Sequence, residues 1–118
     1  MLEPLLGSTN AERVLIFIQA RGEGYASEIA TFFETDLYGI QKQLDKFEAG
    51  GVLASRKIGR VRLYTFNSRY PFLPELAALL DKALLFYPEK LRGDLQMIRR
   101  RPRRRRKPYE TNRPDEPA

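Results

Sequence analysis

From Tyr25 to Phe66 the chain reads YASEIATFFETDLYGIQKQLDKFEAGGVLASRKIGRVRLYTF. Two helices joined by a tight turn, then a basic β-hairpin, account for this pattern. The first helix is expected over Ala26–Phe33, with Ile29, Ala30, Phe32 and Phe33 available to a core. Glu34-Thr35 is the connection, and Asp36 can cap the next helix by accepting a hydrogen bond from a free backbone N–H. That second helix, 37–49, carries Leu37, Ile40, Leu44 and Phe47 at steps of three, four and three, one apolar face of a 3.6-residue period. Gly50-Gly51 ends it, because glycine takes the left-handed geometry of a helix C-terminus at little cost.

Left facing outward on the second helix are Tyr38, Gln41, Lys42, Gln43 and Lys46. Amide, phenol and ammonium groups are what a helix needs to reach base edges and phosphates in a major groove. Two β-prone runs follow, Val52–Ile58 and Val61–Phe66, separated by Gly59-Arg60, where a first-position glycine suits a two-residue type II′ turn. Arg56, Lys57, Arg60 and Arg62 make the hairpin basic, and Tyr64 and Phe66 share one strand face that is expected in the core. The whole is the layout of a winged helix-turn-helix.

Charge is unevenly placed. Residues 1–50 hold four basic and eight acidic groups, whereas 51–74 hold five basic groups and no acid. Residues 1–98 together are neutral, with twelve of each sign, so the net charge of +6 sits in 99–118. There eight of nine residues from Arg99 to Lys107 are basic: Arg99, Arg100, Arg101, Arg103, Arg104, Arg105, Arg106 and Lys107. Such separation favours an oriented approach to a polyanion. With four prolines, abundant charge and no apolar period, the tail is expected to be disordered when free.

A chain of 118 residues, 42% of them apolar, is one domain's worth of core. It has no cysteine and no histidine, so disulfides, thiolate sites and imidazole metal sites are excluded. The usual nucleophile and base pairings are missing too, and no glycine-rich phosphate loop is present; neither an enzyme nor a cofactor is expected. No secretory signal or apolar run long enough to span a bilayer is found, so a soluble cytoplasmic protein without membrane contact is expected.

Outside the central stretch, a helix is expected over Asn10–Ala20, capped by Thr9 with Glu12 three residues on, and buried through Val14, Leu15, Phe17 and Ile18. Gly22-Glu23-Gly24 reads as a turn. A helix from Glu75 to Tyr87 should start behind Pro74 and stop before Pro88, with a shorter one over Glu89–Ile98. Leu76, Leu79, Leu80, Ala83, Leu84 and Phe86 make the former apolar on much of its circumference, which suggests a second copy of the chain as cover.

Asp36–Leu53 resembles the recognition-helix signature of ArsR-type and related winged helix-turn-helix regulators of bacteria and archaea. Ser55–Tyr64 and Asn67–Phe72 extend the likeness. The opening Leu6-Gly7-Ser8 is similar to the start of small winged-helix proteins related to domains associated with nucleotidyltransferases. The resemblance covers roughly residues 5–87. It departs from metal-sensing members, whose Cys and His ligands this chain lacks, and from the transferases, whose paired metal-binding aspartates are absent.

The expectation is therefore a mainly α fold with a small β-hairpin wing (α+β). Residues 5–72 form the winged helix-turn-helix, 73–98 the C-terminal helices that pair two copies, and 99–118 the basic tail. The resemblance implies a homodimeric transcriptional regulator, by default a repressor, acting on double-stranded DNA. Tyr38, Gln41, Lys42 and Gln43 would contact bases, with Gln41 the leading reader. Ser27, Lys46, Arg56, Lys57, Arg60 and Arg62 would hold the backbone or minor groove, and the tail would add sequence-independent attraction. The competing readings are an RNA-binding or architectural protein driven by the tail, and a winged helix used to dock a protein.

Overall fold

In a computed structural model, which describes residues 1–99, the elements run α1 (Glu3–Leu6), α2 (Thr9–Arg21), α3 (Ala26–Phe33), α4 (Leu37–Ala49), β1 (Leu53–Ile58), β2 (Val61–Phe66), α5 (Leu73–Leu84) and α6 (Glu89–Arg99). The arginine run from Arg100 to Lys107, with the rest of the tail, lies outside the described residues.

Helix α2 is the axis of the molecule. Its run Val14, Leu15, Ile16, Phe17 and Ile18 is buried on every side, because α1, α3, α4, α5, α6 and β2 all pack on it. A helix apolar all round is stable only when so enclosed. Ile29, Ile40, Leu44, Leu53, Tyr64, Leu80 and Leu95 complete the core from the surrounding elements. Each such side chain contributes about 1.5–3 kcal/mol by leaving water.

The cap of α2 differs from the expected one. Ser8, not Thr9, is the N-cap, its Oγ accepting from the Ala11 N–H at 3.0 Å. Glu12, placed one residue too far on for a capping box, is buried instead and accepts from the Met1 amine, the Leu2 N–H and the Tyr87 hydroxyl. It thereby fixes the short helix α1, which sequence reading missed, against the α5–α6 junction.

Asp36 caps α4 as expected, its Oδ1 3.0 Å from the Gly39 nitrogen. At the other end the N–H of Val52 reaches the Phe47 carbonyl and that of Gly51 the Glu48 carbonyl, a Schellman closure with Gly51 at φ +81°. Helix α3 ends by the same pair of bonds, Thr35 to Ala30 and Glu34 to Thr31, but there the left-handed residue is Glu34 at φ +55°.

The strands pair antiparallel from Leu53↔Phe66 to Ile58↔Val61, leaving Gly59-Arg60 as the turn. Gly59 has φ +61° and Arg60 does not share that sign, as a type II′ turn requires. Helix α5 starts two residues earlier than expected, since Pro74 fits its first turn, where no N–H is needed. It stops at Leu84, and Leu85, Phe86 and Tyr87 bond back to the third residue before each, a tightened exit ahead of Pro88. Arg21 locks α6 to the end of α2, donating to the Leu95 and Asp94 carbonyls while its guanidinium lies over the edge-to-face Phe17 and Phe32 rings. Burial pulls its pKa down, and Glu28 and Asp94 oppose that pull.

No helix among the described residues is long and apolar enough to cross a membrane.

Candidate nucleic-acid interface

Helix α4 is seated on the core by Ile40 and Leu44, with Phe47 half-buried beside them. What it leaves outward follows from its 100° step. Tyr38, Lys42, Asp45 and Ala49, at steps of four, three and four, are all exposed, and Tyr38 is 75% so. Gln41 and Gln43 fall to either side of that stripe and are half-buried, unlike the outward positions expected for them.

Gln41 leans toward the wing. Its Nε2 donates to Asp45 Oδ1 at 2.9 Å and to the Tyr64 hydroxyl at 3.1 Å. Gln43 has its Oε1 buried without a hydrogen-bond partner among the described residues. Lys46, though exposed, sits over the Phe47 ring and donates to the Leu6 carbonyl of α1.

The wing is held to this helix by a ladder of polar contacts. Ser55 Oγ donates to Glu48 Oε2 at 2.6 Å and accepts from Arg62 Nη1 at 3.1 Å. Tyr64, 2% exposed, is anchored from behind, exchanging both backbone hydrogen bonds with Gly24. The turn at Gly22-Glu23-Gly24 is thus also a one-residue third strand. Glycine is required at 24, since a Cβ there would lie 2.8 Å from the buried Phe17 ring.

Arg56, Lys57, Arg60 and Arg62 are exposed, and none pairs with a carboxylate among the described residues. Lys57 and Arg62 stand directly opposite each other across the strands, on the face they share with Tyr64. Like charges so placed repel and weaken a hairpin, so the pair is a natural seat for an anion. Between α4, the wing and the start of α3 lies a cleft of about 430 Å³. It brings together Ser27, Gln41, Arg60 and Arg62 of the expected set, and adds Asp45 and Glu48, carboxylates that no motif in the sequence singles out.

The expected pairing surface is largely spent within the monomer. Leu80, Ala83 and Leu84 are core residues, and Leu76 packs against them. Leu79 is half-buried, which leaves Phe86 (68% exposed), together with its neighbour Leu85 (69%), as free apolar surface on this segment.

No protein-family model matches the chain, and no curated protein does. The fold does have a counterpart among solved structures. It is similar to that of Lactococcus lactis ZitR, a double mutant in its apo form, with a TM-score of 0.51 over 76% of each chain. This is a winged helix. At 16% identity the likeness carries the fold and not the ArsR-type family in particular. Among the described residues no group of three or more His, Cys, Asp or Glu side chains could hold a metal ion.

Proposed function

We propose that the protein is a double-stranded DNA-binding transcriptional regulator that lays α4 in the major groove. The observation that carries this reading is the juxtaposition of an exposed Tyr38–Lys42 stripe with a wing whose four basic residues lack carboxylate partners among the described residues. A helix of 13 residues standing clear of the core on one face fits the groove, and the wing beside it reaches the adjacent backbone or minor groove.

In this mechanism Lys42 donates to guanine or a phosphate, and Tyr38 supplies phenol and ring contacts. Arg60, at the hairpin tip, enters the minor groove, while Arg56, Lys57 and Arg62 hold phosphates with Ser27 at the start of α3. The half-buried Gln41 and Gln43 act as supports for the helix rather than as first contacts. The tail adds attraction indifferent to sequence. Repression by occupying a promoter is the simplest output, and a homodimer joined through Leu85 and Phe86 matches a two-fold operator.

Binding to an enriched duplex and to its scrambled counterpart separates these roles. Tyr38→Ala with Lys42→Ala should shrink the difference between the two duplexes by about tenfold or more while leaving most of the general affinity. Arg60→Ala and Arg62→Ala should weaken both alike and lower the slope of log K against log salt by about one each. Equal or tighter binding to a matched RNA duplex would instead favour an RNA-binding protein.

A further inference from the structure

Helix α4 carries a carboxylate, Asp45, in the middle of the face that would meet DNA. An acid facing a polyanion opposes binding unless a base offers it a donor. Asp45 is exposed, three residues after Lys42 and seven after Tyr38, and no cation pairs with it among the described residues. Residues three apart on a helix are neighbours, about 5–6 Å between Cβ atoms, so Lys42 and Asp45 together present one donor and one acceptor head.

Gln41 is constrained in the opposite sense. Both hydrogens of its amide nitrogen are engaged, one by Asp45 Oδ1 and one by Tyr64 OH. The orientation of the amide follows from its partners, because a carboxylate only accepts and so must face the nitrogen. Adenine is read by an amide that donates to N7 and accepts from N6. Gln41 could do so only by giving up one of these two bonds. What the clamp does achieve is to steer Asp45: Tyr64, pinned by Gly24, holds Gln41, and Gln41 holds one carboxylate oxygen, Oδ1, while Oδ2 has no hydrogen-bond partner among the described residues.

We propose that Asp45 and Lys42 together select a G·C base pair, Asp45 accepting from the cytosine 4-amino group and Lys42 donating to guanine O6 or N7, with Gln41 and Tyr64 as positioning residues. These are the complementary partners of that pair in the major groove. An A·T pair fits less well: its one donor, the adenine 6-amino group, lies between adenine N7 and thymine O4, so a carboxylate on it meets an acceptor on either side, whereas the cytosine amino group has acceptors on one side only. The assignment rests on the DNA-binding reading above, and it replaces Gln41 as the leading base reader.

Selection from a random duplex DNA pool with the full chain tests it, run in parallel for wild type, Asp45→Ala, Asp45→Asn and Gln41→Ala, each first shown to melt cooperatively. The wild-type motif should contain a position at which cytosine is favoured about tenfold. Asp45→Ala should flatten that position to near-equal base use. Asp45→Asn should move it to adenine, the base an Asn amide pairs with. Gln41→Ala should keep cytosine as the favoured base there but weaken the preference severalfold, because Asp45 loses its tether and not its acceptor oxygens. An Asp45→Ala motif identical to wild type would overturn the assignment, as would loss of an adenine position on Gln41→Ala. A wild-type pool with no motif would overturn the DNA reading itself and the assignment with it.

Discussion

The hydroxyl of Tyr87, at the exit of α5, lies 2.5 Å from Oε2 of Glu12 in α2, seventy-five residues away. Burial first, and this bond second, push the phenol pKa above its ordinary value of 10.0. Because the folded state holds a proton that the unfolded chain releases, the associated stability is complete below about pH 10 and falls as pH rises through the folded value. Tyr87→Phe should lose about 1–2 kcal/mol at pH 7. The Tm gap between wild type and variant should then narrow from pH 10 upward. A gap that is constant from pH 8 to 11 would show that the hydroxyl does not couple to folding.

Gly24 ties the wing to the core, and the buried Phe17 ring leaves no room for a methyl group beside it. Gly24→Ala should destabilise by about 1–3 kcal/mol, the usual range for overpacking. The effect should appear as a lower denaturant midpoint with the slope unchanged. A neutral result would mean that the third strand is not held as close to α2 as described.

Glu34 ends α3 in the left-handed region at φ +55°, where an L side chain crowds its own carbonyl. Glu34→Gly removes that conflict and should stabilise by about 0.5–1 kcal/mol, even after glycine's extra unfolded-state entropy. A rise in Tm is the expected reading. A fall would show that the Glu34 carboxylate contributes more than the strain.

Leu85 and Phe86 stand exposed beside a core they do not enter. If they join two copies, Leu85→Glu with Phe86→Glu should give a monomer of unchanged helix content in sedimentation, with wild type dimeric at tens of micromolar. A monomeric wild type at that concentration would remove the homodimer from the account.

Much of the fold was legible because local chemistry and long-range packing agree. Asp36, the apolar face of α4, Gly50-Gly51 and Gly59 each mark an end, a side or a turn by their own physics, and α4 and the hairpin fall within a residue of expectation, although Leu37, expected on that face, is exposed beside the cap. Helix α1 was missed although Pro4 near its start and Gly7 after its end are an ordinary boundary pair, because four residues are too few for a period. The roles of Glu12 and Tyr87 depend on elements far apart in the chain, which no spacing rule reports.

The candidate site was legible at the level of elements and less so at single residues. Helical spacing placed Tyr38 and Lys42 outward, and they are. It also admitted Gln41, whose polarity looked like that of a reader. Only the wing folded back over α4 brings Tyr64 against that amide and leaves Asp45 in its place. The G·C preference proposed for Asp45 and Lys42 follows from that contact, not from the helix alone.

The most direct test of the central claim is selection from a random duplex DNA pool by the full chain and by a chain ending at Ile98. Sequence-specific reading by α4 predicts that both enrich the same motif, preferably palindromic. The full chain should bind more tightly and with the steeper salt slope, by about five in log K per decade of salt if the tail neutralises about six phosphates. Binding confined to the full chain, salt-sensitive and with nothing enriched, would contradict the account and leave a basic-tailed architectural or RNA-binding protein in its place.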